Sequence, residues 1–172
     1  MPFEADLRRY LKRHAHAPVS AILATRLLMR SATLLRANME AALADEGISM
    51  RGYLALASIS LHTGGALRPS DLSVSLDATR TQITRLLATL TEQKLVTRQP
   101  SPDDGRAFNL MLTPAGEQKL AHCRPKVHAM YRQAWANVAD LAPVTRDLSA
   151  LNARLAAQRS ASSDPAAQEA AA

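Results

Sequence analysis

The chain has 172 residues, 47% of them apolar and 3% aromatic, which suits one domain with Ala- and Leu-rich helical packing rather than a β-sandwich or barrel. Its 21 Lys and Arg exceed 15 Asp and Glu, giving a net charge of +6 that suits a polyanionic partner without requiring one. A single cysteine, Cys123, excludes an intrachain disulfide, and the absence of an apolar leader or membrane-length apolar run makes a cytoplasmic protein the expectation.

Residues 1–36 gather seven basic side chains, Arg8, Arg9, Lys12, Arg13, Arg26, Arg30 and Arg36, against Glu4 and Asp6. Residues 19–44 place Leu23, Leu27, Leu34 and Leu35 near helical spacing with no interior Pro or Gly, so one long helix is predicted, ending near Gly47. Ser49 is a good N-cap for a second helix carrying Tyr53, Leu54, Ala57 and Leu61 on one face. The run His62-Thr63-Gly64-Gly65 breaks that helix, and Arg68-Pro69-Ser70-Asp71 starts a short third one ending about Leu76.

Thr79 is the N-cap expected for the next helix, whose Ile83, Leu86, Leu87 and Leu90 recur at i, i+3, i+4 and i+7. Arg80, Thr81, Gln82, Thr84 and Arg85 are thereby left off the core face. After Lys94 the pattern becomes strand (Leu95 to Arg98), turn-rich loop (Ser101 to Gly105) and alternating strand (Phe108 to Leu112), a β-hairpin with a long tip. Thr113-Pro114 opens a further helix through Leu120 and Val127 towards Trp135, bent at Pro125, and a last amphipathic helix spans roughly Val144 to Leu155. The small, polar, low-complexity residues 157–172 read as a disordered tail.

The order of elements between residues 49 and 112 is that of a helix-turn-helix followed by a wing. A helix read by DNA must bury one face and offer the other to base edges: Arg suits guanine, Gln adenine, and Thr a thymine methyl. Arg80, Thr81, Gln82, Thr84 and Arg85 supply that set in two turns at the positive end of the helix dipole, with Thr79 at the cap. Taken alone, the same helix reads as an ordinary amphipathic helix with a solvated face; the hairpin after it decides for the groove. Asp104 and Arg106 sit two apart at the tip, where the carboxylate can fix the guanidinium for a narrow minor groove, and Arg98 adds a cation on the first strand. The interface is not rich in charge, with Asp103 and Asp104 set among the basic residues, so affinity has to come from placement.

The stretch from Ser70 to Leu120 resembles the MarR family of bacterial regulators. The wing pair Asp104-Gly105-Arg106 and the following Leu112-Thr113-Pro114-Ala115-Gly116 carry the likeness, Gly105 standing where a basic residue is usual. Residues Ile22 to Met29 and Glu46-Gly47-Ile48 are similar to the EmrR-like branch, whose members repress multidrug efflux operons. The resemblance implies a mainly α fold with a small β-hairpin wing, a winged helix-turn-helix flanked by N- and C-terminal dimerisation helices. The divisions expected are 1–46 and 114–156 for the dimerisation helices, 47–113 for the DNA-binding domain and 157–172 for the tail. It also implies a homodimer on a pseudo-palindromic duplex operator and release by a small aromatic or anionic effector.

For that effector, Arg26 is the preferred anchor, with Met29 and Tyr53 as wall and His16 as a second polar group; a dimer-interface or surface role for Arg26 stays equally open. His14 with His16, and His122 with His128, lack the i, i+4 spacing of a metal pair, so no metal or cofactor is expected. Arg124, Lys126 and His122 near Cys123 leave a thiol-responsive regulator of the same fold as an alternative, a metal-responsive one built on the histidines is a second, and a winged helix used only for protein contacts is a third. No nucleophile with a base, carboxylate pair or phosphate-cradling loop points to an enzyme.

Overall fold

The computed structural model describes residues 5–6, 9–10, 18–62, 67–100 and 108–162, with side chains to residue 159. The chain divides into two compact units, residues 1–132 and 133–172, each considered by itself.

In the first unit, residues 5–6 and 9–10 are helical, and α1 (Val19–Ala42) buries only Leu23 and Met39 and exposes Leu27, Leu28, Met29 and Leu34. A 3-10 turn (Ala44–Glu46) follows and is closed by Gly47 at φ 61°, the left-handed conformation that glycine adopts without a Cβ penalty. Helix α2 (Met50–Leu61) is capped twice: Ser49 Oγ accepts from Gly52 N at 3.1 Å, and Glu40 Oε2 of α1 accepts from Met50 N at 3.1 Å. Its buried stripe is Gly52, Tyr53, Ala55, Leu56 and Ile59. Leu61, expected on the core face, is 82% exposed because the last turn of the helix runs past the core.

Helix α3 (Pro69–Ser75) starts with Pro at N1, and the Asp71 carboxylate accepts the Arg68 N–H at 2.8 Å. It ends in a Schellman motif: Ala78 N donates to Ser73 O at 3.0 Å, Asp77 N to Val74 O at 3.3 Å, and Asp77 holds φ 44°. Helix α4 (Arg80–Glu92) ends the same way, with Leu95 N on Leu90 O at 2.9 Å, Lys94 N on Thr91 O at 2.9 Å and Lys94 at φ 59°. The two positions that glycine would suit best are thus held by Asp and Lys.

Strands β1 (Val96–Pro100) and β2 (Phe108–Leu112) pair antiparallel in the register Val96 with Leu112, Arg98 with Leu110 and Pro100 with Phe108. Leu110 N donates to Leu67 O at 3.0 Å, which ties the segment before α3 to the far side of the hairpin. Helix α5 (Pro114–Ala134) buries Gly116, Leu120, Cys123, Val127 and Met130, one stripe at alternating steps of three and four, and continues through Pro125. Residues of α1, α2, α3, α4, the hairpin and α5 meet in one core that includes Leu43, Leu56, Leu72, Leu87, Leu110 and Val127.

The Leu-Thr-x-x-Gly sequence acquires its physical reason at the start of α5. Thr113 Oγ1 donates to Lys94 O at 2.6 Å, Thr113 N donates to Leu95 O at 3.1 Å, and Gly116 N donates to Thr113 Oγ1 at 3.0 Å. A Cβ on Gly116 would lie 2.0 Å from Leu95 O, so the helix can approach that carbonyl only at glycine.

In the second unit, α6 (Ala142–Ser162) has no fully buried side chain among those described, up to residue 159; Val144 and Leu148 are half-buried, and Leu151 and Leu155 are exposed. The helix runs on past Ala156 to Ser162, where the small residues were expected to begin a disordered tail: alanine loses no side-chain entropy on becoming helical, so local propensity extends the helix. Residues 163–172 lie outside the described residues. Among the described residues no helix is long and apolar enough to cross a membrane.

Candidate nucleic-acid interface

Helix α4 buries Ile83, Leu87 and Leu90 and turns Arg80, Thr81, Gln82, Thr84 and Arg85 to solvent. Its first turn is fixed by a capping box in which Thr79 Oγ1 accepts from Gln82 N at 3.2 Å and Gln82 Oε1 accepts from Thr79 N at 2.9 Å. Gln82, expected to read adenine, therefore spends its carbonyl on the cap, leaving the amide NH2 for an outside acceptor. The T-x-x-Q spacing in the sequence already signals this role. The Thr84 hydroxyl donates to Arg80 O at 2.9 Å. Arg80 and Arg85 form no ion pair among the described residues, so both cations are available to an anionic partner. Between the start of α3 and α4 a cleft of about 270 Å³ is lined by Pro69, Ser70, Arg80, Ile83 and Thr84.

Arg98 is exposed on β1, and its guanidinium carbon lies 4.7 Å from the centroid of the Phe108 ring. Asp104 and Arg106, the wing-tip pair, fall outside the described residues, as does His16. Of the other effector residues, Arg26 and Met29 are exposed on α1, whereas Tyr53 is buried in the core. Burial pushes the Tyr53 phenol up, with Arg124 pulling the other way.

The one buried charged side chain among the described residues, Glu46, had no signal in the local sequence because its partners lie on α5, far along the chain. Its carboxylate pairs with Lys126, with Lys119 at 3.9 Å and with His122 Nε2 at 3.3 Å, and Lys119 Nζ also donates to the Glu46 carbonyl at 3.1 Å. The hydrogen bond from Lys126 holds this carboxyl below its ordinary value against the effect of burial, with His122 and Lys119 acting in the same direction as Lys126. Cys123 lies against it, Sγ to Oε2 3.7 Å, and is fully buried. Burial pushes the thiol up, and the Glu46 charge adds to the rise, which is opposite to the activation a thiol sensor needs. No group of three His, Cys, Asp or Glu suited to a metal occurs among the described residues.

A model of the MarR family matches residues 46–107, from the end of the 3-10 turn to the residue before β2. The transcriptional repressor MprA of Escherichia coli K12 is 31% identical over 135 residues, covering 78% of this chain and 77% of MprA. A putative transcriptional regulatory protein for the hcr operon of Thauera aromatica is 33% identical over 95 residues, 55% of this chain and 56% of that protein. Among solved structures, AbsC from Streptomyces coelicolor, a MarR family transcriptional regulator, matches with a TM-score of 0.70 at 23% identity over 80% of this chain and 93% of AbsC. The M. tuberculosis regulator MosR, solved in complex with DNA, matches with a TM-score of 0.67 at 27% identity, over 79% of this chain and 98% of MosR. With a winged helix-turn-helix in place and such identity to MprA across most of both chains, the chain belongs to the MarR family of transcriptional regulators.

Proposed function

We propose that the chain is a homodimeric repressor that binds a pseudo-palindromic operator in duplex DNA and leaves it when a small aromatic or anionic molecule binds. The observation that carries the reading is the α4 surface: Arg80, Thr81, Thr84 and Arg85 project from a capped helix start whose opposite face is locked into the core. Arg85 and Arg80 read base edges or phosphate, Thr81 and Thr84 meet thymine methyls, and Thr79 and Gln82 hold the helix end towards the backbone. Arg98 and the Asp104–Arg106 tip engage the adjoining groove. MosR in complex with DNA, and a MarR variant from E. coli complexed with operator DNA, support the assignment of a duplex ligand.

The dimer reading rests on unpartnered apolar stripes. Leu27, Leu28 and Leu34 of α1 and Leu151 and Leu155 of α6 are exposed at helical spacing, and a second copy of the chain would cover them. Two α4 helices would then meet half-sites about one turn, roughly 10 bp, apart. The effector is assigned to the α1 side, with Arg26 as anchor and Met29, Tyr53 and His16 around it. The name of MprA favours repression over activation.

Fluorescence anisotropy on a duplex from upstream of the gene tests the reading, with random DNA of equal length as control. Specific binding by a dimer, steep loss with salt and release by benzoate, with release abolished by Arg26→Ala, is the expected set. Equal affinity for the two duplexes would instead favour a winged helix used for protein contacts.

A further inference from the structure

We infer that Phe108 is a positioning residue for DNA binding, acting through Arg98; the inference rests on the DNA-binding reading above. Val96, Arg98 and Pro100 share one face of β1, and the register sets Leu110 opposite Arg98 and Phe108 diagonal to it. Val96 and Leu110 on that face are buried, so the inner part of the hairpin is rigidly seated. One step outward the side chain is Arg98, exposed, with its guanidinium carbon 4.7 Å from the Phe108 ring centroid. Phe108 itself is half-buried and packs against the core, which seats the platform under the cation.

The chemistry of this contact differs from that of an ion pair. A carboxylate would orient the arginine but neutralise it and occupy its N–H groups. An aromatic face attracts the cation through the ring quadrupole and contains no acceptor that uses up a donor. Arg98 is thus held in place with its charge and its N–H donors still available to phosphate or a base edge. A long side chain ordered before binding has less rotamer freedom to lose on binding, which favours the complex. No ion pair involving Arg98 competes with the ring among the described residues.

The test is a double-mutant cycle with Phe108→Leu, Arg98→Ala and the double variant, titrated against the upstream duplex at several salt concentrations. Phe108→Leu is expected to weaken binding about two- to five-fold, from the worth of an exposed cation–π contact, while leaving the salt slope unchanged because the charge remains. Arg98→Ala is expected to weaken binding and reduce the slope by about one. In the Arg98→Ala background Phe108→Leu is expected to have no further effect; with Arg98 intact, Phe108→Tyr, which keeps the aromatic face, is expected to bind with wild-type affinity. An equal loss from Phe108→Leu with and without Arg98 would mean a merely structural ring and overturn the inference, leaving the DNA-binding reading intact. Unchanged binding by Arg98→Ala overturns it as well. If the wild-type protein does not prefer the upstream duplex to random DNA, the underlying reading fails and takes this inference with it.

Discussion

Gly116 lies where a Cβ would meet the Leu95 carbonyl at 2.0 Å, and the obstacle is backbone that cannot rotate away. Gly116→Ala should therefore cost about 2 kcal/mol or more in a urea melt, since α5 must be pushed off the hairpin. Lys94 sits at φ 59° at the end of α4, so Lys94→Gly should raise stability by about 0.5–1 kcal/mol, read as a higher midpoint at constant slope. Glu46 is held below its ordinary value of 4.5, so its ion pairs stabilise the fold above that pH and fade as pH falls through the lower folded value. An acid titration should show this loss, and Glu46→Gln should flatten it.

At the scale of elements, α5 carries Cys123 together with Lys119, His122 and Lys126, the partners of Glu46. The thiol is fully buried and its ionisation suppressed, so native protein should react with iodoacetamide only at the rate of local opening and fully in denaturant. Rapid modification of native protein would revive a thiol-sensing role. Helix α4 illustrates a different division of labour. Its capping box engages Thr79 and Gln82 in holding the helix start, while Arg80 and Arg85 face outward. Gln82→Glu keeps the cap acceptor, so it should preserve stability yet weaken operator binding by placing a negative charge beside phosphate.

For the whole molecule, the exposed leucines of α1 and α6 set the expected behaviour in solution. On the proposed homodimer, Leu151→Lys with Leu155→Lys should shift sedimentation from dimer to monomer and weaken operator binding by more than ten-fold, because a lone half-site lacks the second contact. Arg85→Ala should lower the salt slope by about one while keeping the dimer.

Helix periodicity, the Ser49 and Thr79 caps, the alternating β2 strand and the Thr113-Pro114 start were all legible in the sequence, because each depends on neighbours within a turn or a strand. The T-x-x-Q cap was legible too, although its glutamine also suits a base contact. The exposure of Leu61 and the helical run to Ser162 were not, since one depends on where the core ends and the other on alanine overriding a polar composition. Local chemistry thus determined which segments are helix or strand and which face of α4 is free. Only the tertiary structure decided that Glu46 is buried against Lys119, His122 and Lys126, that Gly116 touches Leu95, and that Arg98 rests on Phe108. Each of those contacts joins different elements of the fold, so no local pattern in the chain encodes it.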